Sequence, residues 1–164
     1  ISARDTTGSL TAKLSLIAAQ LLLEVLSNWL RRELTPQPQK EAEATFSSLI
    51  SKKDGEIDWR LSAVDIWRRV RAFNPWPGCY TRWQGRQLKI FEAVPLPGER
   101  PFEVGQVVAL NNEGAVLGVN TGKGVLGILR VQLEGKQAMT ATEFLRGQRQ
   151  FIEAILPSSK ERSL

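Results

Sequence analysis

No histidine occurs among the 164 residues. That absence removes the commonest general base, the Ser–His and Cys–His nucleophile pairs, and most zinc sites. Carboxylate or lysine chemistry stays open, but self-contained catalysis becomes the weaker expectation. Cysteine is nearly absent too. The single Cys79 excludes an internal disulfide and fits a reducing compartment. A metal would then need clustered carboxylates. Asp54, Glu56 and Asp58 alternate as in a calcium loop, yet no glutamate follows at the spacing of a bidentate ligand, so no metal is expected. A clean membrane span is lacking, because Lys13, Gln20, Glu24 and Asn28 interrupt the long apolar segment. The same segment is too long for a signal sequence and contains Glu24, despite Ala42-Glu43-Ala44 downstream. There is no internal repeat and no low-complexity stretch. The chain opens on Ile1 rather than Met, which suggests a processed protein or part of a longer one.

What is present suffices for a soluble domain with a real core: 42% apolar and 24% charged residues. The formal charge is +5 and the pI near 9.7, a balance that suits an anionic partner such as nucleic acid or an acidic membrane surface. From Lys40 onward there are eighteen Lys and Arg against fourteen Asp and Glu. The excess therefore lies mainly in the second part of the chain.

Apolar residues recur at Leu10, Leu14, Ile17, Leu21, Val25 and Trp29, with Leu22, Leu26 and Leu30 widening the stripe. This predicts a helix of about six turns over 10–32 with one broad buried face, capped by Thr6, Ser9 or Thr11. No nearby segment is an obvious partner for that face, as though the helix closed a domain lying elsewhere. Thr35 to Gln39 reads as extended and polyproline-like, a boundary. The expected division is 1–35 as a terminal helix, 36–56 as a linker and 57–164 as a second domain. In the linker, 40–44 is charged and solvated, and Phe46, Leu49 and Ile50 are expected to anchor the chain. Lys52-Lys53-Asp54-Gly55 is a basic turn, after which Ile57 and Trp59 are buried.

Ser62-Ala63-Val64-Asp65 resembles a capping box with Asp in place of Glu. Ala63, Ile66, Trp67, Val70 and Phe73 form one helical face, with Asp65 and Arg69 as an i,i+4 pair and Arg68 and Arg71 on the wet side. The helix is stopped by Arg71-Ala72-Phe73-Asn74-Pro75-Trp76-Pro77-Gly78. Its two prolines fix φ and remove two donors, and Phe73 and Trp76 are large enough to pin helix to sheet. The period then changes to alternation. A hairpin is predicted over Tyr80–Trp83 and Gln87–Val94 with a turn at Gln84-Gly85, followed by a loop over Pro95–Pro101. Further strands follow over 105–110, 115–120 and 125–133, turning at Asn111–Gly114 and Thr121–Gly124. Five or six short strands with Gly-rich turns point to a β-rich α+β fold, a small antiparallel OB-like barrel with peripheral helices. Thr140-Ala141-Thr142-Glu143 is a capping box, Phe151, Ile152 and Ile155 form a last apolar strip, and Pro157–Leu164 is a polar, frayed tail.

Thr121-Gly122-Lys123-Gly124 has some phosphate-loop flavour, but it lacks the upstream glycine and following helix, and it reads as a hairpin turn. Nucleic acid is the stronger candidate. Lys52, Lys53, Arg68, Arg71, Lys123, Lys136, Arg146 and Arg149 sit at turns and on wet faces, and small basic barrels bind nucleic acid through phosphate contacts and stacking. Residue types alone leave this level with ordinary solvated surface charge.

Leu34–Gln39, Ala44-Thr45-Phe46, Ser51-Lys52-Lys53, Ile57-Asp58-Trp59 and the octet from Arg71 to Gly78 then match a known family in order. So do Leu88-Lys89-Ile90, Thr121–Gly124, Gly135-Lys136, Met139 and Phe144–Gly147. Together they make the chain resemble the C-terminal part of the bacterial methionyl-tRNA formyltransferases. Asp5-Thr6 and the long helix resemble the end of that family's N-terminal formyltransferase domain. The resemblance implies an enzyme that transfers a formyl group from 10-formyltetrahydrofolate to the methionyl amino group of initiator tRNA, in the cytoplasm. It implies a Rossmann-like N-terminal domain holding the catalytic Asn, His and Asp, and an OB-like C-terminal domain that helps hold tRNA. No catalytic or cofactor-binding residue carries over to this chain, which is expected to be inactive alone and to bind no cofactor. The expected partners are initiator methionyl-tRNA and the N-terminal domain, with neither membrane nor metal. The expected tRNA contacts, an inference from charge and position, are Lys52, Lys53, Arg68, Arg71, Lys89, Lys123, Lys136 and Arg149. Phe73, Trp76 and Trp59 are expected in the core. A related formyltransferase or formyltetrahydrofolate hydrolase or dehydrogenase, an RNA-binding module without catalysis, and a subunit-contact domain are the rivals.

Overall fold

The structure is a computed structural model, and it describes residues 1–98, 103–112 and 114–158. The end of the loop after Leu96, Glu113 of the third turn and most of the C-terminal tail lie outside the described residues. The chain divides into two compact units, 1–50 and 51–164.

The first unit is dominated by α1 (Thr7–Leu30). Thr6 is its cap: Thr6 Oγ1 accepts the Ser9 N–H at 3.1 Å while Ser9 Oγ accepts the Thr6 N–H at 3.0 Å. Lys13 pairs with the buried Asp5 carboxylate at 2.6 Å, which, with the Ser2 N–H and Ser9 hydroxyl, holds Asp5 well below the usual carboxylate range. The expected broad buried face is not found. No α1 residue is buried, and Leu14, Ile17, Leu22, Leu26 and Trp29 are exposed, because this unit supplies no second element to cover them. By length and composition α1 is apolar enough to cross a membrane despite its polar interruptions, a property shared by core helices of soluble proteins. Lys40 pairs with Glu43 at 3.1 Å across one exposed 3-10 turn, Glu41–Glu43. Phe46 and Leu49 were expected as anchors but are 97% and 96% exposed; residues 45–50 have no regular structure and nothing in the unit shelters them.

The second unit is α+β. A 3-10 helix, Lys52–Gly55, leads to α2 (Ala63–Ala72) and then to β1 (Cys79–Trp83), β2 (Arg86–Leu96), β3 (Val107–Asn112), β4 (Ala115–Asn120) and β5 (Val125–Leu133). A two-residue β6 (Met139–Thr140), too short for the alternation to reveal, precedes α3 (Ala141–Gly147). The ladder order is β1-β2-β5-β4-β3, all antiparallel, with β6 on β5. Gln84 and Gly85 both have positive φ, the I′ geometry that suits a two-residue hairpin between β1 and β2. Among the described residues no ladder joins β1 to β3. The expected barrel is therefore seen as an open antiparallel sheet, whose margins are met by isolated bridges of Glu56 to Tyr80 and Gln106 to Ile155. Strand β2 is long enough to pair with β1 at one end and β5 along most of its length, and its register shifts around Glu92 mark an irregularity that lets it change direction.

α2 is capped by Ser62, whose hydroxyl accepts the Asp65 N–H at 3.1 Å. The capping box is only half made. Asp65 is one methylene shorter than glutamate, and its carboxylate meets the Ser62 hydroxyl instead of the Ser62 backbone. Asp65 pairs with Arg68 at 3.3 Å, not with Arg69 as the i,i+4 spacing predicts. Ala63, Ile66 and Val70 are buried as expected, with Trp67 and Phe73 packed at the margin. Trp76 is 54% exposed, so Phe73 alone of the corner aromatics packs against the core. Both the Asn74–Pro75 and Trp76–Pro77 peptide bonds are cis.

The main core joins Trp59, Ile66 and Val70 to Leu88, Leu117, Leu126 and Ile128. At one end Trp83, Phe144 and Phe151 stack edge to face, with centroids 5.0–5.9 Å apart. The Thr140–Glu143 capping box is complete, and in the last apolar strip Leu156 is buried where Ile155 was expected.

Candidate nucleic-acid interface

Several cations of the second unit are occupied within the molecule. Arg60 clasps Asp58 with two bonds of 2.8 Å, which holds the Asp58 carboxyl below its ordinary value. Arg130 lies 3.7 Å from Glu92 and Arg82 lies 3.9 Å from Glu56. Arg71 stacks on the Trp67 ring at 3.9 Å rather than standing on the wet side. Among the described residues Lys52, Lys53, Lys89, Lys123, Lys136 and Arg149 make no ion pair. Asp54, Glu56 and Asp58 face separate partners, Ser51, Arg82 and Arg60, and among the described residues no group of three or more acids, Cys or His could hold a metal.

The fold gathers some of these cations and separates others. Gly55 packs so tightly on Gly78 that a Cβ there would come within 2.1 Å of the Gly78 carbonyl oxygen. Ile57 N–H then donates to Tyr80 O at 2.8 Å. These two contacts seat the 3-10 helix, and with it Lys52 and Lys53, along the outer edge of β1. Across the sheet Glu56 bridges Tyr80, Tyr80 is in register with Lys89, and Lys89 with Gln132. In-register residues point to one face. It is the face opposite the buried Cys79, Thr81, Leu88 and Ile90. Gln132 Nε2 donates to the Lys136 carbonyl at 2.9 Å, which ties the Lys136 turn to the same row. Lys52, Lys53, Lys89 and Lys136 thus border one strip.

The remaining expected residues lie elsewhere. Lys123 sits in a turn docked on the start of α2, where its carbonyl accepts the Ala63 N–H at 2.9 Å. It borders an apolar hollow of about 540 Å³ lined by Val64, Pro95, Leu96 and Pro97. Arg68 is on the exposed side of α2, and Arg149 is in the 3-10 turn after α3. Tyr80 and Arg82 belong to the strip but were not expected there. The alternation in Tyr80-Thr81-Arg82-Trp83 carried that signal, while the pairing that brings Lys89 beside Tyr80 did not show in the sequence.

Comparison with known proteins agrees with the fold. HypX from Aquifex aeolicus superposes with a TM-score of 0.64 over 90% of this chain and 27% of its own, at 22% identity. A methionyl-tRNA formyltransferase of Bacillus pumilus is 38% identical over 143 residues, 87% of this chain and 45% of that protein. One from Dehalococcoides mccartyi is 44% identical over 149 residues, 90% of this chain and 46% of that protein. The chain spans about half the length of the curated relatives it matches. The family described as formyl transferase, C-terminal domain, matches residues 49–149. The chain belongs to the formyl transferase C-terminal domain family.

Proposed function

We propose that this chain is the tRNA-gripping portion of a methionyl-tRNA formyltransferase, with α1 closing that enzyme's N-terminal formyltransferase domain. The enzyme would take its formyl group from 10-formyltetrahydrofolate and act in the cytoplasm on initiator methionyl-tRNA. The names of the relatives support the reaction. The observation that carries the role of this chain is the strip of cations without internal counter-charges along β1 and β2. Each can replace a counterion on a phosphate, giving affinity that falls steeply with salt. The contribution is positioning: the grip holds the aminoacyl end where another domain performs the chemistry. An OB-like barrel, closed by segments beside β1 and β3, is the finer reading of the open sheet.

The test is a filter-binding titration of the chain against initiator and elongator tRNA at several salt concentrations. Charge reversal at Lys52, Lys53 and Lys89 should weaken binding and lower the salt slope by about one per lysine. Reversal at Lys123, which the fold sets apart, tests whether the grip extends to the α2 end. Unchanged affinity and slope in the triple variant would remove the strip from the site.

A further inference from the structure

Phosphate contacts alone give no use for the ring at the centre of the strip. Tyr80 is the sole tyrosine of the chain and is half-buried. Its neighbours Cys79 and Thr81 are buried, so strand alternation turns its side chain to the outer face. One side of the ring lies by Gly55, where a Cβ would meet Tyr80 Cδ1 at 3.4 Å. Lys89 flanks Tyr80 on the next strand, and Lys53 ends in the turn whose Glu56 bridges Tyr80 on the other side. The nearby Glu56 carboxylate is offset by Arg82 at 3.9 Å. A partly exposed aromatic ring with a lysine beside it in register, and two more in the turn that docks on its strand, is an arrangement that can stack a base and hold the phosphates flanking it. A base within a duplex has both faces covered by its neighbours, so the matching partner is an unpaired nucleotide.

Building on the tRNA-gripping role, we propose that Tyr80 is a stacking platform for one unpaired nucleotide of the bound RNA, with Lys53 and Lys89 on its flanking phosphates. The site selects single-stranded RNA over duplex, as an exposed end or loop of a tRNA would present it. The test measures fluorescence anisotropy of the whole chain with a labelled unstructured adenine–cytosine oligoribonucleotide and with a labelled RNA hairpin stem. Tyr80→Ala should weaken oligoribonucleotide binding roughly 5- to 150-fold, the range for losing one stacked base, and leave stem binding nearly unchanged. Tyr80→Phe should stay within about twofold of the parent, because the ring face is kept. Lys89→Ala, at a partly exposed position that spares the core, should weaken both probes and lower the salt slope. Equal loss on both probes for Tyr80→Ala, or a folded Tyr80→Ala that binds the oligoribonucleotide as the parent does, overturns the platform while the grip stands. Binding of neither RNA by the parent chain at low salt overturns both.

Discussion

Cys79 and Glu143 show how far the surroundings of one side chain set its chemistry. Cys79 is 3% exposed, and burial pushes its thiol up to about 12, only partly offset by the charge of Arg69. The thiolate is the reactive form, so Cys79 should resist thiol reagents at pH 8 in the folded chain and react promptly in denaturant. Titration with a chromogenic disulfide in both states checks this. Glu143 receives both the N–H and the hydroxyl of Thr140 at 2.8 Å, which hold its carboxyl below the ordinary value. A carboxyl depressed in the folded state stabilises fully above its unfolded pKa of about 4.3, and that stabilisation is lost as pH falls through the lower folded value. Melting curves at pH 5, 4 and 3 should therefore fall less steeply for Glu143→Gln than for the parent. Thr140→Ala removes the cap itself and should cost about 0.5–2 kcal/mol at neutral pH.

At the scale of elements, the joints matter more than the lengths. A Cβ at Gly122 would lie 1.9 Å from the Arg60 carbonyl oxygen, and one at Gly55 would press on Gly78. Gly55→Ala and Gly122→Ala should each destabilise by about 1–3 kcal/mol through forced backbone shifts. Urea denaturation measures both, and Gly55→Ala should also weaken RNA binding by unseating Lys52 and Lys53. Phe151 is 1% exposed between Trp83 and Phe144, and Phe151→Ala should cost about 3–5 kcal/mol. The elements themselves were legible because their signals are local: the Thr140 cap, the Gln84-Gly85 turn, and the switch from helical to alternating period after Gly78. What escaped reading depends on side-chain geometry and on packing and register between elements. Asp65 choosing Arg68, Trp76 left outside, and the row from Glu56 to Gln132 follow from packing and register. Spacing alone did not decide them: Asp65 had both an i+3 and an i+4 arginine to choose from.

On the whole-molecule scale, the two units differ in how they manage apolar surface. The second hides most of its own in two buried clusters, while α1 leaves Leu16, Leu22, Leu23 and Leu30 more than 60% exposed. Contiguous apolar surface of that kind drives association. The isolated chain should self-associate at micromolar concentration, and Leu22→Glu with Leu26→Glu should return it to monomer in sedimentation velocity. The positive charge lies mostly in the other unit, so these changes should leave the salt slope of RNA binding where it was. Strand β5 has a further consequence through its place in the order of synthesis. The β1–β2 and β3–β4 hairpins each pair residues close in sequence, and among the described residues the sheet continues from one to the other through β5, which runs between β2 and β4. A nascent chain that has emerged only to Gly124 holds both hairpins and no strand to clasp them. Until the ribosome releases Val125–Leu133, the two hairpins have no strand to join them into one sheet.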